Sequence, residues 1–319
     1  MRLRSLLPVA VAWITVGCAC ALTTQTDAPL GEPIATFLET GVHLATPAQA
    51  GPVLAASDDY TRAHGDYERA LRMRSTEPVS EADFLEDAGR SARDWEPEAR
   101  ELWTNAVQVI AEAMRGLQLD LPAEILLIRT RPDYESGLPH TRGNAVVLPD
   151  PTDGNAIRLL AHEFFHIASR HDPGLRDRLF PIFGFETVDP VAVPEAFATR
   201  RLTNPDAVHF HHAVTVTTPD GPAQVVAMLS SNTPLEEAVK ADSLIQVAEL
   251  NLVTVDGARI YALADTDFGQ VASINTGYII HPEEVVADNF AMMCLRRAGL
   301  EVEIAQPAYV DRLEAELTR

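Results

Sequence analysis

The sequence predicts an α+β fold in which two helices are separated along the chain by a β-rich insertion. Apolar residues recur at helical spacing on two segments that begin near Asn155 and Pro282. Between them, alternating stretches are interrupted by the pairs Asp220-Gly221 and Asp256-Gly257, and such pairs are typical of tight β-hairpins. The insertion is therefore predicted to span about residues 187–277.

The first 21 residues have the pattern of an export signal. A charged start, Met1–Arg4, precedes an apolar stretch that is shorter than the about 20 residues needed to span a bilayer. Two cleavage patterns fit: Val16-Gly17-Cys18 resembles the end of a bacterial lipobox, which would make residues 1–17 the signal, and Ala19-Cys20-Ala21 fits an ordinary small-x-small site. We expect an exported protein, either lipid-anchored on the cell envelope or secreted, and we favour a lipid on Cys18 as its only membrane attachment.

The remaining chain divides into two parts. Residues 22–78 are rich in Thr, Pro, Gly and Ala and are predicted to be a tether or N-terminal extension. Residues 79–319 are predicted to be the folded domain, with helices that begin near Ser80 and at Pro97. Beyond the signal, Cys294 is the only cysteine, so no disulfide framework exists and the fold must depend on its hydrophobic core.

The chain is strongly acidic, with a formal net charge of -21. Such a surface repels phosphate backbones and anionic lipid headgroups. The composition therefore argues against nucleic acid as a partner and suits a protein that works outside the cell. A peptide or protein substrate remains compatible with it.

The most informative segment is His162-Glu163-Phe164-Phe165-His166, an HExxH sequence on a predicted helix. Residues four positions apart share one helix face, so both imidazoles can bind one ion. Glu163 beside them can take a proton from a metal-activated water. His162 and His166 are thus predicted to bind one Zn²⁺ per chain, with Glu163 as the general base.

A catalytic zinc usually has three protein ligands and one open position. Glu186, Glu195 and Glu284 compete for the third place. We favour Glu284, because Pro282 suits the first position of a helix and the following residues supply its apolar surface. Asp288 lies four residues later on the same face and is predicted to accept the free N–H of a ligating histidine.

The pair of motifs resembles the zinc site of gluzincin metallopeptidases, which include the thermolysin-like enzymes. Their second motif is Glu-x-x-Ala/Ser-Asp, and residues 284–288 of this chain fit it. The resemblance implies a zincin-like domain in which Glu284 binds zinc and Asp288 orients His162. The chain departs from the thermolysin pattern in that 117 residues separate His166 from Glu284, which requires the large insertion.

Metzincins offer a rival third ligand. Their pattern continues HExxH as xxGxxH, occasionally with Asp last, and in this register Asp172 takes the ligand position. Ser169 stands where that pattern requires Gly, the residue that lets the chain turn sharply. We therefore rank Asp172 below Glu284.

Two further features bear on substrate binding. Strands are predicted over residues 124–128 and 144–148. By resemblance to zincins, 144–148 would be the edge strand that pairs with an extended peptide, although an internal strand is equally compatible. Gluzincins also add a His or Tyr donor to the oxyanion, and Tyr278 and His281 are the nearest candidates, with an anchoring or helix-capping role as the alternative for each.

These features predict a zinc metallopeptidase, more an endopeptidase than an exopeptidase. The alternative is a surface lipoprotein that keeps the zincin fold without catalysis and uses zinc structurally or binds a partner. A metal hydrolase that acts on a non-peptide amide is a third possibility.

Overall fold

The computed structural model describes residues 31–150 and 155–319, so the predicted export signal and its cleavage sites lie outside the described residues. The strands are β1 Glu32–Phe37, β2 Thr40–Leu44, β3 Glu124–Thr130, β4 His140–Arg142, β5 Ala145–Pro149, β6 Glu186–Thr187, β7 His212–Thr218, β8 Gly221–Ser230, β9 Glu249–Thr254 and β10 Ile260–Ala262. The helices are α1 Pro47–Leu54, α2 Asp59–Arg62, α3 Asp66–Arg72, α4 Glu81–Arg90, α5 Pro97–Ala113, α6 Ala156–His171, α7 Pro173–Leu179, α8 Glu195–Ala198, α9 Leu235–Ala238, α10 Phe268–Ala272, α11 Pro282–Arg297 and α12 Pro307–Leu317. Among the helices of these two ranges, none combines the length and apolar composition needed to cross a bilayer.

The chain forms two five-stranded sheets, which agrees with the predicted α+β class. In the first sheet the order is β1-β2-β3-β5-β4, with β2, β3 and β5 parallel and the outer strands antiparallel. Both strands predicted before α6 are present as β3 and β5. Strand β5 is internal, however, and the edge that faces away from β3 belongs to the three-residue strand β4. The expectation that residues 144–148 form the edge strand is therefore wrong, because β4 covers them.

The second sheet is antiparallel and comes from the predicted insertion, in the order β10-β9-β8-β7-β6. Its two hairpins turn where the Asp-Gly pairs indicated. Gly221 pairs with Thr218 at the β7–β8 turn, and Gly257 turns between β9 and β10 with a φ of +70°. A positive φ is the reason for glycine there, since a Cβ atom would strain this backbone.

The main core lies where α5, α6 and α11 pack together beside the first sheet. Helix α11 is buried on all sides from Pro282 to Leu295, so it runs through the interior rather than along the surface. Phe165 on α6 packs against Phe290 on α11 with ring centroids 5.5 Å apart. The two motif helices are consequently held against each other by apolar packing next to their polar contact.

The stretch predicted as a tether is folded from residue 31 onward. Strand β2 pairs with β3 in parallel, and Val42 on β2 and Leu54 on α1 are fully buried. The tether interpretation of residues 31–78 is therefore wrong. It failed because these elements are short and rich in Gly and Pro, with Pro52 inside α1, and because strand pairing with a distant partner leaves no local periodicity.

A buried histidine lies among the N-terminal helices. The His64 ring packs edge-on against Tyr60 and Phe84, at centroid distances of 4.3 and 5.0 Å. Neither of its ring nitrogens has a hydrogen-bond partner among the described residues. Burial and the nearby Arg72 guanidinium lower the pKa of His64 to about 2, so it stays neutral in the folded protein.

This burial predicts a specific loss of stability in acid. The unfolded chain takes up a proton on His64 as the pH falls through about 6.5, whereas the folded chain does not, so folding is penalised increasingly below that pH. His64→Phe keeps the ring packing and should reduce the slope of unfolding free energy against pH, between pH 4.5 and 6, by up to ~1.4 kcal/mol per pH unit. Urea unfolding at several pH values measures it. The exposed-site control His171→Phe should leave the slope unchanged, and an unchanged slope in His64→Phe would contradict the assignment.

Candidate metal centre

Helix α6 carries the HExxH sequence in a buried position. The Asn155 side chain caps the helix by accepting a hydrogen bond from the Arg158 amide at 3.1 Å. His162, Glu163 and His166 are each at least nine-tenths buried, and the two imidazole centroids lie 4.6 Å apart. One helix turn thus presents both rings to the same point.

Helix α11 supplies the opposite side. His281 caps it and Pro282 is its first residue, so Glu283 and Glu284 occupy the first turn, where the helix dipole favours carboxylates. Both carboxylates are 1 % exposed. The two helices therefore bring imidazoles from one and carboxylates from the other into a common interior space.

Three of these atoms converge as a metal would require. Glu284 Oε2 lies 3.0 Å from His162 Nε2 and 3.4 Å from His166 Nε2. Ligands about 2.1 Å from a tetrahedral zinc are separated by about 3.4 Å, so the spacing fits. His166 Nε2 has no hydrogen-bond partner among the described residues, so no protein group competes with a metal ion for this atom. His162, His166 and Glu284 together form a donor set that suits a divalent cation such as zinc.

The rival third ligands lie elsewhere. Glu186 is exposed in β6, and Glu195 is exposed at the start of α8. Asp172 caps α7, where its side chain accepts from the Gly174 amide at 3.0 Å. Of the candidates weighed from the sequence, the structure brings only Glu284 to the two histidines.

Asp288 holds His162 from behind. Its Oδ1 atom lies 3.1 Å from His162 Nδ1, and its other oxygen accepts a hydrogen bond from the Thr276 hydroxyl. Arg158 also approaches Asp288 Oδ1 at 3.4 Å. A carboxylate on Nδ1 fixes the tautomer whose Nε2 lone pair faces the metal position, which is the geometry predicted for this pair.

Glu283 does the same for His166, and sequence reasoning missed it. Its Oε1 atom lies 3.5 Å from His166 Nδ1 and accepts from the Ser169 hydroxyl, while Arg176 approaches Oε2 at 2.9 Å. Glu283 belongs to no motif. The only signal was its place one residue before Glu284, which gains meaning only once the packing of α6 on α11 is known.

The site has an excess of negative charge. Five carboxylates that are at least nine-tenths buried surround the histidines: Glu163, Asp206, Glu283, Glu284 and Asp288. Three arginines come within 4 Å of them: Arg158, Arg170 and Arg176. Carboxylates without compensating charge are costly to bury, so this composition favours a bound cation.

The protonation of the metal-free site reflects that excess. Burial alone would lower the pKa of His162, but its hydrogen bonds to Asp288 and Glu284 raise it to about 9. Burial would likewise raise the pKa of Glu284, yet the charge of His166 and the hydrogen bond from His162 hold it well below its usual range. The histidines thus carry positive charge where a metal ion would replace it.

Glu163 differs from the other four carboxylates. Its Oε2 atom is buried and has no hydrogen-bond partner among the described residues. Burial and the neighbouring Asp206 carboxylate raise the pKa of Glu163 to about 8. A cation beside it would favour the charged form and lower that pKa, which suits a group that must accept and release a proton near neutrality.

A cavity of about 480 Å³ opens onto these residues, and Tyr278 forms part of its wall. The Tyr278 ring is 41 % exposed, and its centroid lies 6.2 Å from that of His162. The structure thus brings Tyr278 to the site. Its phenol is a donor that a bound molecule in this cavity can meet.

His281 has a different position. Its Nδ1 atom accepts from the Glu283 amide at 3.1 Å, and its Nε2 atom donates to the His209 carbonyl at 3.2 Å. Burial lowers the pKa of His281 to about 4, so the ring is neutral. Both nitrogens are used in capping α11, the alternative role considered from the sequence, and His281 is not among the residues that line the Tyr278 cavity.

Sequence reasoning also missed the segment that follows α8. Asn204 donates from its amide to Glu284 Oε1 at 2.6 Å, and Asp206 brings a carboxylate oxygen within 4.8 Å of ligand atoms on Glu163 and His166. The segment has no periodicity or motif that would have singled it out.

Comparison with known proteins gives no assignment. No family model matches the chain, and neither a curated protein nor a solved structure is significantly similar to it.

The donor set predicts a loss of metal on removal of the third ligand. Purified wild-type protein should contain one zinc ion per chain after loading, and Glu284→Ala should lose most of it because only two imidazoles remain. Elemental analysis after gel filtration measures the content. The matched controls Glu186→Ala and Glu195→Ala should keep their zinc. Equal zinc in Glu284→Ala and wild type would exclude Glu284 as a ligand.

The two supporting carboxylates should contribute separately. Asp288→Asn and Glu283→Gln each weaken the acceptor on one histidine Nδ1 atom, so each should lower zinc affinity by ~10–100-fold. A competition titration with a chromophoric chelator measures this, with Asp189→Asn at an exposed site as control. If zinc affinity fell in Asp288→Asn but not in Glu283→Gln, the proposed role of Glu283 in orienting His166 would be wrong.

Proposed function

We propose that this chain is a zinc-dependent peptidase that acts outside the cytoplasm. The observation that carries the proposal is the convergence of His162 Nε2, His166 Nε2 and Glu284 Oε2 beside a buried Glu163 carboxylate whose Oε2 atom has no partner among the described residues. A purely structural ion site has no use for such a carboxylate, whereas hydrolysis requires a base there.

Each residue has a distinct part in the proposed reaction. His162, His166 and Glu284 would hold the zinc ion, which supplies Lewis acidity toward a carbonyl oxygen and lowers the pKa of water. Glu163 accepts the proton of the attacking water and passes it to the leaving amine. Tyr278 donates to the carbonyl oxygen as negative charge develops on it.

The arrangement of elements supports the gluzincin resemblance. A sheet whose edge strand β4 is antiparallel precedes the HExxH helix α6, and the third ligand and its Asp partner lie on the later helix α11. The second sheet fills the predicted insertion between them. On this basis we assign a zincin-like catalytic domain with an inserted β-sheet as part of the proposal.

An extended polypeptide is the proposed substrate class. Strand β4 is the last strand of its sheet, so its outer edge can pair with a peptide strand once the Thr141 N–H is released from Asp206, and the cavity beside it contains Glu163 and Tyr278. Internal cleavage follows from a cleft of this kind, since binding along a strand edge does not require a chain terminus. Export and a lipid on Cys18 remain predictions, because the N-terminal segment lies outside the described residues.

One observation favours the alternative, a non-catalytic surface lipoprotein with structural zinc. Asp206 lies within 4.8 Å of ligand atoms on His166 and Glu163, so a fourth protein ligand is close to the position that water would take. A closed site of four protein ligands is typical of structural zinc. The two functions differ in what Glu163 does.

Replacement of Glu163, the proposed general base, distinguishes the peptidase from the structural-zinc alternative. Glu163→Gln keeps the size of the side chain but cannot accept a proton, so it should retain zinc and lose about 10²–10⁴-fold in hydrolysis. Cleavage of a quenched fluorescent peptide library, measured beside zinc content, tests this. Glu195→Gln, at an exposed position, should behave as wild type. Comparable rates in Glu163→Gln and wild type would remove Glu163 from the mechanism, and no hydrolysis by the zinc-loaded wild type would favour the structural alternative.

A further inference from the structure

The edge strand β4 is already occupied. Thr141, its middle residue, donates its backbone N–H to Asp206 Oδ1 at 2.8 Å, and its hydroxyl donates to the same oxygen. Arg170 approaches that oxygen at 3.7 Å. A backbone donor that an incoming peptide strand would use is therefore taken by a side chain from the insertion.

Asp206 belongs to residues 203–208, which we call the cleft segment. Its first residue is fixed from the N-terminal helices. The Thr203 amide donates to Glu68 Oε1 at 2.5 Å, its hydroxyl donates to Glu68 Oε2 at 2.9 Å, and its carbonyl accepts from Arg72 at 2.7 Å. At the other end, Arg201 donates to the Val208 carbonyl at 2.6 Å. Thr203 is 2 % exposed, so the first residue of the cleft segment is a buried anchor.

Within the cleft segment the chain turns toward the metal centre. The Asp206 amide donates to Asn204 Oδ1 at 3.0 Å, and the Ala207 amide donates to the Asn204 carbonyl at 3.2 Å. The Asn204 amide group meets Glu284 Oε1 at 2.6 Å. The turn thus inserts one amide and one carboxylate between the edge strand and the ligands.

The cleft segment also divides the space around the site. The cavity that contains His162 and Tyr278 lies on one side, and a second cavity of about 640 Å³, with Thr141, Arg142 and His281 in its wall, lies on the other. Asp206 lines both. Asp206 is the one residue that the walls of both cavities share, so its side chain stands between them.

We propose that the cleft segment is an internal inhibitor of this site: it occupies the place of an extended polypeptide substrate, and Asp206 fills the space beside Glu163 and His166. The inference rests on the proposed function. Substrate must displace Asp206 from Thr141 before its own backbone can pair with β4. The protein with the segment in place is a latent form, and opening the turn admits the peptide.

The test measures access to the site without requiring turnover. A fluorescein-labelled extended peptide hydroxamate is titrated into the zinc-loaded full chain, and binding is followed by anisotropy. If the open form is at most about a tenth of the population, Asp206→Ala should bind the probe at least about tenfold more tightly than wild type. Asp189→Ala, which removes an exposed charge from the insertion, should bind as wild type does.

A second variant guards against a purely electrostatic effect or a folding defect. Thr203→Val removes one hydrogen bond from the buried anchor and leaves Asp206 and every proposed ligand unchanged, so it should also tighten probe binding. Hydrogen exchange of residues 203–208 should rise in both variants. Equal affinity in all proteins, weaker binding by Asp206→Ala, or no binding by any of them would overturn the proposal.

The outcome is separable from that of the proposed function. Tighter probe binding by both variants with no hydrolysis by any protein would keep the cleft segment as a gate and remove the peptidase assignment. Hydrolysis by wild type that neither variant increases, together with unchanged probe affinity, would keep the peptidase and remove the gate.

Discussion

The contact between α6 and α11 is the constraint on which the rest of the structure depends. Both helices are buried, and each presents ionisable side chains to the other where apolar residues would ordinarily pack. Burying charge in this way is costly unless every group is paired or a cation is bound. Here Asp288 and Glu283 pair with the two histidines, and Glu284 is shared between them. The apolar packing of Phe165 on Phe290 fixes the spacing at which this network can close.

Helix α7, the segment after α8 and the N-terminal helices stabilise the same network from outside. Arg176, just after α6, is paired with Glu283, and Asn204 in the insertion is bonded to Glu284. Thr203 is in turn fixed by Glu68 on α3. Elements distant in sequence thus converge on one polar centre, and the N-terminal helix α3 is one of them. A metal ion bound there would contribute directly to the free energy of folding.

The sequence predicted those features that depend on residues close together in the chain. Periodicity and capping residues located α5, α6 and α11, and the Asp-Gly pairs located both hairpins, because these signals are local. His162, His166, Glu284 and Asp288 were found because spacing on a helix fixes which residues share a face. Glu283 and Asp206 were missed because each acquires its role from a partner more than 60 residues away in the chain. Strand β4 was missed because its three residues are too few to show a pattern.

The hydrogen bonds around Asp206 stabilise the site and also block the edge of β4. In this structure it satisfies the Thr141 backbone and hydroxyl donors, and Asn204 beside it satisfies one oxygen of Glu284. In the proposed peptidase, a peptide in the cleft would have to replace these hydrogen bonds, so the cost of breaking them would reduce its affinity. The burial of the Glu284 and Asp206 carboxylates therefore depends in part on the turn of the cleft segment, which brings them these hydrogen bonds. Backbone groups of the proposed peptide substrate would take over the contact with Thr141, but only a substrate that also contacts Glu284 or the metal position would compensate for the loss of the Asn204 hydrogen bond.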